Sequence, residues 1–293
     1  MTADTSSRAT GGRFAWLRPP KFEEGGVMSL WDHLREIRYR LIMSALAIVV
    51  CFIVAFIYYQ PIVELILRPY QIAAASVQAR NPEAVIQVVN SGVTAPMMLA
   101  LKSAGLAALI AACPFWLYHL WAFIVPGLLK KEKRVAQLFL LSAIPLFLSG
   151  VTVGYLILPK AFEFMLGFTV ADAGVANLQD LNDFLALEMR MLLVFGVAFL
   201  LPVVLVMLNL LGLVKAVALR KARTLAVFGC FIFGAVATPS GDPFSMLALS
   251  VPMVVMYLVS EFICGRHDAR VLKRQVKEGL ITAEEAEALK RGD

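Results

Sequence analysis

Six apolar stretches divide this chain, and the charges between them are sorted by side. The segments that fall on one side are the N-terminus to Arg40, Tyr118 to Arg134, Gly212 to Arg223, and Glu261 with the tail from Gly265. Together they hold 22 of the 27 Lys and Arg residues and 13 of the 21 Asp and Glu, a balance of +9. The remainder carries Arg68, Arg80, Lys102, Lys160 and Arg190 against eight carboxylates, or −3, in agreement with the net +6 of the whole chain. Basic loops are retained in the cytoplasm. A stretch that crosses lipid must satisfy its own backbone polar groups, which stretches of this length do as helices. The sequence therefore predicts an all-α polytopic membrane protein with six transmembrane helices and both ends inside.

The bulk numbers agree. A hydrophobic content of 60% and a mean hydropathy of +0.77 do not fit a soluble domain of 293 residues. The positive charge is accounted for by topology and calls for no nucleic acid. The first 28 residues are polar, with no apolar core of a signal peptide, so the first apolar stretch is expected to stay and start insertion. Three regions follow: 1–28, a flexible cytoplasmic N-terminus; 29–264, the membrane domain; and 265–293, a cytoplasmic tail. Cys51, Cys113, Cys230 and Cys264 are widely spaced within or at the ends of apolar stretches, which reads as packing rather than as a disulfide framework or a metal site.

The expected spans run near Leu41–Tyr59, Pro96–Leu117, Val135–Leu158, Leu187–Leu213, Thr224–Thr238 and Phe244–Cys264. The fifth would reach only about 22 Å across a core of roughly 30 Å. Pro114, Pro145, Pro202 and Pro252 lie in or near the ends of four spans, where proline removes a helix hydrogen bond and kinks the chain. Short, kinked helices suggest a concave shape. Outside the first span lies an amphipathic run of Ile62, Leu65, Ile66 and Pro69. After the second span, Trp116, Tyr118, Trp121 and Phe123 are expected in an inner loop as an interfacial belt. The tail reads as two short helices, the second opened by a capping box, Thr282-Ala-Glu-Glu285.

No nucleotide-binding glycine loop, zinc-protease helix or nucleophile elbow occurs, and no cofactor or metal is expected. The chain does not read as an enzyme. Two segments stand out: Ser29-Leu-Trp-Asp-His-Leu-Arg-Glu-Ile-Arg-Tyr-Arg40, and Phe123-Ile-Val-Pro-Gly-Leu-Leu-Lys-Lys-Glu-Lys-Arg134. Each places a carboxylate, Glu36 or Glu132, among basic residues at the membrane surface. One reading is local charge balance, with Glu36 paired to Arg40 at i+4, worth about 0–1 kcal/mol. The other is a receptor for guanidinium groups, since arginine offers a planar fork that a carboxylate binds bidentately and lysine does not. An ion-coupled small-molecule secondary transporter is the alternative class. It would need ionisable groups near the bilayer midplane.

His33-Leu-Arg-Glu-Ile-Arg-Tyr-Arg40 resembles the HLxELRxR signature of the TatC family, the Sec-independent or twin-arginine protein translocase subunits. Trp121-Ala-Phe-Ile-Val-Pro-Gly-Leu-Leu-Lys-Lys-Glu-Lys-Arg134 is similar to its WxFxxPGLxxxER loop. Phe195-Gly-Val-Ala-Phe-Leu-Leu-Pro202 resembles its FGxxFxxP pattern, and Thr238-Pro-Ser-Gly-Asp-Pro-Phe-Ser245 its TPxxDxFS turn. The resemblance implies a multi-pass protein of the bacterial cytoplasmic membrane that binds twin-arginine signal peptides of folded export substrates. It implies Glu36 and Glu132 as the recognition carboxylates, supported by Arg38, Phe123 and Pro126, and structural roles for Pro69 and Asp242. It implies self-association, contact with membrane lipids, and partnership with single-span TatA and TatB subunits that dock along spans five and six. Transport is then driven by the proton-motive force. Two positions depart from the family pattern. Leu200 and Met246 stand where many relatives carry polar residues implicated in partner docking, which leaves Thr238 as the clearest polar group there.

Overall fold

The computed structural model describes residues 30–82, 86–124, 133–167, 177–238 and 243–291. The first helix, α1 (Leu30–Ile57), carries the first apolar run. Its outward face is apolar and bare, with Leu41, Ile53 and Ile57 more than half exposed, as a lipid-facing helix requires. The chain breaks at Tyr58 and re-enters helix as α2 (Tyr59–Arg80). Pro61 falls in the first turn of α2, where no intrahelical donor is lost. The amphipathic run read from sequence is this second helix, and Ile66, Pro69, Tyr70, Ala73 and Val77 form its buried face.

Helices α3 (Ala95–Ala111) and α4 (Cys113–Ile124) form a broken pair bent by 58°. Pro114 at the start of α4 cannot donate to the preceding turn, so the ladder ends at Ala112. The stretch expected as an inner loop with an aromatic belt is instead helical through Ile124. Trp121 is buried and stacks on Phe139 with ring centroids 4.1 Å apart, and Trp116 meets Phe147 edge-on at 5.3 Å. Trp121 and part of Trp116 thus pack the core, because α4 lies against α5, while Tyr118 of the expected belt is exposed.

Helix α5 (Lys133–Leu166) runs unbroken through Pro145 and Pro159. It packs along α6 (Leu181–Ala198), which is followed after a two-residue break by α7 (Leu201–Leu210) with Pro202 in its first turn. The α5–α6 contact depends on glycine. A Cβ on Gly150 would lie 2.5 Å from the Phe195 carbonyl oxygen, and one on Gly196 would lie 2.7 Å from the Phe147 ring. Gly196 thus seats the Phe147 ring, Gly154 the Phe195 side chain, and Gly150 the α6 backbone with the Phe199 side chain; Phe147 and Phe195 are fully buried.

A short helix, α8 (Ala216–Lys221), precedes α9 (Arg223–Ala237), which packs on α10 (Pro243–Lys277). Gly234 again marks the close approach, against Ser250. Helix α10 does not stop where its apolar run ends at Cys264. It continues for another thirteen residues, so the first of the two expected tail helices is the end of the last span. The second is α11 (Ala283–Arg291), opened by the expected reciprocal bonds, Thr282 N–H to Glu285 and Glu285 N–H to Thr282. Two four-residue strands not anticipated from sequence, β1 (Ile86–Val89) and β2 (Asn177–Asp180), pair in parallel.

Among the described residues, four helical segments are long and apolar enough to cross a membrane, and a fifth if the bent α3–α4 pair counts as one span. Helix α9, apolar but only 15 residues long, is the remaining candidate. Among the described residues, the largest core joins α2, α3, α5 and α6 and reaches Cys230 of α9 and Leu249 and Met253 of α10; a second lies where α4 meets α5 and α7, and a third between α8 and α10.

Candidate functional site

Glu36 is a buried carboxylate with its partner on the same helix. Glu36 lies two turns into α1 and is only 2% exposed, because α1 packs there against α3 and α4. The i+4 spacing that placed Arg40 beside it is realised. Arg40 Nε donates to Glu36 Oε1 at 2.9 Å, and Arg40 Nη2 donates to the same oxygen. Glu36 Oε2 is buried and has no hydrogen-bond partner. A carboxylate oxygen closed off from water with no donor costs free energy unless a partner supplies one. Arg38 is exposed on the same turn of helix.

Helix α4 brings its own polar group to this place. His119 lies within electrostatic reach of Arg40, and its Nδ1 is buried without a hydrogen bond. Phe123 follows one turn later, in the last turn of α4, so the end of α4 and the start of α1 share one end of the bundle. Glu132, Pro126 and Asp242 lie outside the described residues.

The other positions singled out from sequence are spread through the fold. Pro69 is fully buried in α2. Leu200 is buried in the α4–α5–α7 core, and Met246 is half-buried on α10. Thr238 is buried at the end of α9, and its hydroxyl donates back to the Gly234 carbonyl at 2.8 Å.

Several polar groups were not legible in the sequence. Glu188 on α6 is fully buried, and neither of its oxygens has a hydrogen-bond partner. Glu261 on α10 takes a two-pronged bond from Arg223, at 2.9 and 2.6 Å, tying α10 to α9, with Arg220 of α8 at 3.8 Å. A carboxylate inside an apolar run is the signal that could have flagged both. Asn209 donates to the Val214 carbonyl and to Asp268, and Asp268 accepts the Ala216 N–H, so α10 grips the loop between α7 and α8. That loop and the end of α10 enclose a cavity of about 580 Å³. At the start of α6, Asp180 caps the helix by accepting the Asn182 N–H. A hydrogen bond from Ser91 and this backbone donor hold its carboxyl below the usual range. Among the described residues no cluster of His, Cys, Asp and Glu could hold a metal ion.

A family model, Sec-independent protein translocase protein (TatC), matches residues 32–252, from the Glu36 segment into the first third of α10. The chain belongs to the TatC family. It is 36% identical over 247 residues to the Sec-independent protein translocase protein TatC of Xylanimonas cellulosilytica, covering 84% of this chain and 87% of that one. To the TatC of Azotobacter chroococcum it is 34% identical over 241 residues, covering 82% and 90%. Two crystal structures of the twin arginine translocase receptor TatC superpose with TM-scores of 0.63 and 0.66. Each is 28% identical and matches 79% of this chain and nearly all of its own. The chain is thus a membrane-embedded TatC subunit of the Sec-independent translocase, and the assignment supports that reading over ion-coupled transport.

Proposed function

We propose that this TatC-family chain is the receptor of the translocase, and that Glu36 and Glu132 take the guanidinium groups of twin-arginine signal peptides. The observation that carries the proposal is the state of Glu36: a buried carboxylate near the start of α1 with one oxygen left without a hydrogen-bond partner. Bidentate binding of a guanidinium uses both carboxylate oxygens in one plane, and an ammonium cannot reproduce it. The family resemblance assigns Phe123, Pro126 and Arg38 to the support of these carboxylates, and Arg38 is exposed on α1.

In this reading the chain crosses the bacterial cytoplasmic membrane six times, with α9 as the short span and both termini in the cytoplasm. The charge asymmetry of the loops supports that orientation. Single-span TatA and TatB partners dock along α9 and α10, where Leu225, Phe228 and Ile232 of α9 and Val251, Val255 and Phe262 of α10 are exposed and apolar. The proton-motive force then drives movement of the folded protein. The test is the affinity of the purified protein, in lipid nanodiscs, for a twin-arginine signal peptide and its Lys-Lys counterpart. Glu36→Gln and Glu132→Gln should each weaken binding of the arginine peptide by at least about tenfold, the worth of one charged hydrogen bond. Binding indifferent to both substitutions and to the lysine exchange would reject the receptor reading.

A further inference from the structure

Glu36 spends half of its carboxylate on the chain's own arginine. Arg40 directs Nε and Nη2 at the single oxygen Oε1, while Oε2, equally buried, receives nothing. A guanidinium in its preferred side-by-side arrangement would engage both oxygens. Arg40 reaches the carboxylate from one turn along the same helix and engages only one. The pair is sheltered, with the glutamate side chain 2% and the arginine side chain 18% exposed. Solvent therefore does not dissolve this contact as it does an exposed surface pair. On α4, His119, which feels the charge of Arg40, has a buried Nδ1 with no hydrogen-bond partner.

We propose that Arg40 is a built-in competitor at Glu36 and sets the preference of the site for arginine over lysine; the proposal rests on the reading of Glu36 as the guanidinium receiver. Arg40 neutralises Glu36 when no peptide is bound and supplies two N–H donors to Oε1. A ligand must replace both of them. A peptide guanidinium does so with its parallel donors and also satisfies Oε2, which Arg40 leaves open. A lysine ammonium brings the same charge on a compact point without the fork, so it does not make good what Arg40 gives up. With Arg40 removed, no donors have to be replaced, and lysine loses the part of its handicap that Arg40 imposes, while the bidentate fit to a guanidinium remains.

The experiment compares the Arg-Arg signal peptide and its Lys-Lys counterpart against wild-type protein, Arg40→Gln, Arg40→Lys and Glu36→Gln in nanodiscs, with thermal melting of each variant alongside. In Arg40→Gln the Lys-Lys peptide should bind on the order of tenfold more tightly, while the Arg-Arg peptide gains no more than about threefold, so the ratio between them falls. Arg40→Lys keeps the charge but not the fork, and should give an intermediate ratio. It also carries the test if Arg40→Gln does not fold. An unchanged ratio in Arg40→Lys overturns the proposal, as does loss of Arg-Arg binding in Arg40→Gln to the level of Glu36→Gln, which would make Arg40 a group that positions Glu36. Full binding by Glu36→Gln would instead reject the underlying reading of Glu36.

Discussion

Substituting Gly150 with alanine tests the packing that holds α5 on α6. The added Cβ would sit 2.5 Å from the Phe195 carbonyl oxygen and 2.8 Å from Phe199 Cβ. Ordinary contacts between carbons lie near 3.5–4.0 Å, so the helices must part by about 1 Å. The obstacle includes backbone, which no rotamer change removes. A gap of that size forfeits a quarter to a half of each contact along the seam, and Phe147 and Phe195, both fully buried, lose most. Overpacking of this kind costs typically 1–3 kcal/mol, and the backbone clash puts Gly150→Ala at about 3 kcal/mol. Alanine also gains about 1 kcal/mol of helix propensity over glycine. Gly105→Ala in α3 isolates that gain, because nothing lies within 4 Å of a Cβ there. The difference between the two variants is therefore the packing cost alone. Unfolding of both purified proteins in the same detergent, by heat and by denaturing surfactant, should show Gly105→Ala at or above wild type and Gly150→Ala several degrees below. Equal midpoints would mean that the α5–α6 seam yields freely, and would refute the close-packed description.

Other consequences are open to measurement. Glu188→Leu should raise stability by about 1–3 kcal/mol, since the carboxyl has no partner to lose; a drop in the unfolding midpoint would reveal a donor to that group. Glu261→Gln should cost about 1–2 kcal/mol, the value of a charged two-pronged bond reduced because Arg223 is half exposed. Thr282→Ala should speed amide exchange in α11 roughly fivefold, the loss of about 1 kcal/mol of cap, without changing exchange in α9. The Asp180 cap has a lowered folded pKa, so its contribution is full above the ordinary carboxylate value and is lost as pH falls through the lowered one. Protection of the Asn182 amide should hold at pH 5 and fail only in stronger acid.

The apolar helices were legible because hydropathy marks what lipid demands, and the Glu36–Arg40 pair because i+4 neighbours meet on any helix. Helix ends were less legible. Cys264 marks where apolar side chains stop, but backbone hydrogen bonds do not depend on side-chain polarity, so α10 runs on. Pro114 signalled a kink near the end of the second apolar stretch, but not that helix would continue past Leu117 to Ile124, where Trp121 had a core to enter. The strand pair of Ile86–Val89 with Asn177–Asp180 joins segments on either side of three helices, and no local pattern predicts it. Arg223 and Glu261 meet across 38 residues, which spacing alone cannot reveal.

The continuity of α10 past Cys264 has a mechanical consequence. The segment from Cys264 to Lys277 is a rod of roughly 20 Å rigidly joined to the last apolar helix. Clamped near its base by the bonds of Asp268 to Asn209 and Ala216, it acts as a lever with a fixed fulcrum. A tilt of about 10° within the bilayer would swing its far end by roughly 3 Å and carry α11 with it, so the tail is an indicator needle for movements of the helix to which it belongs.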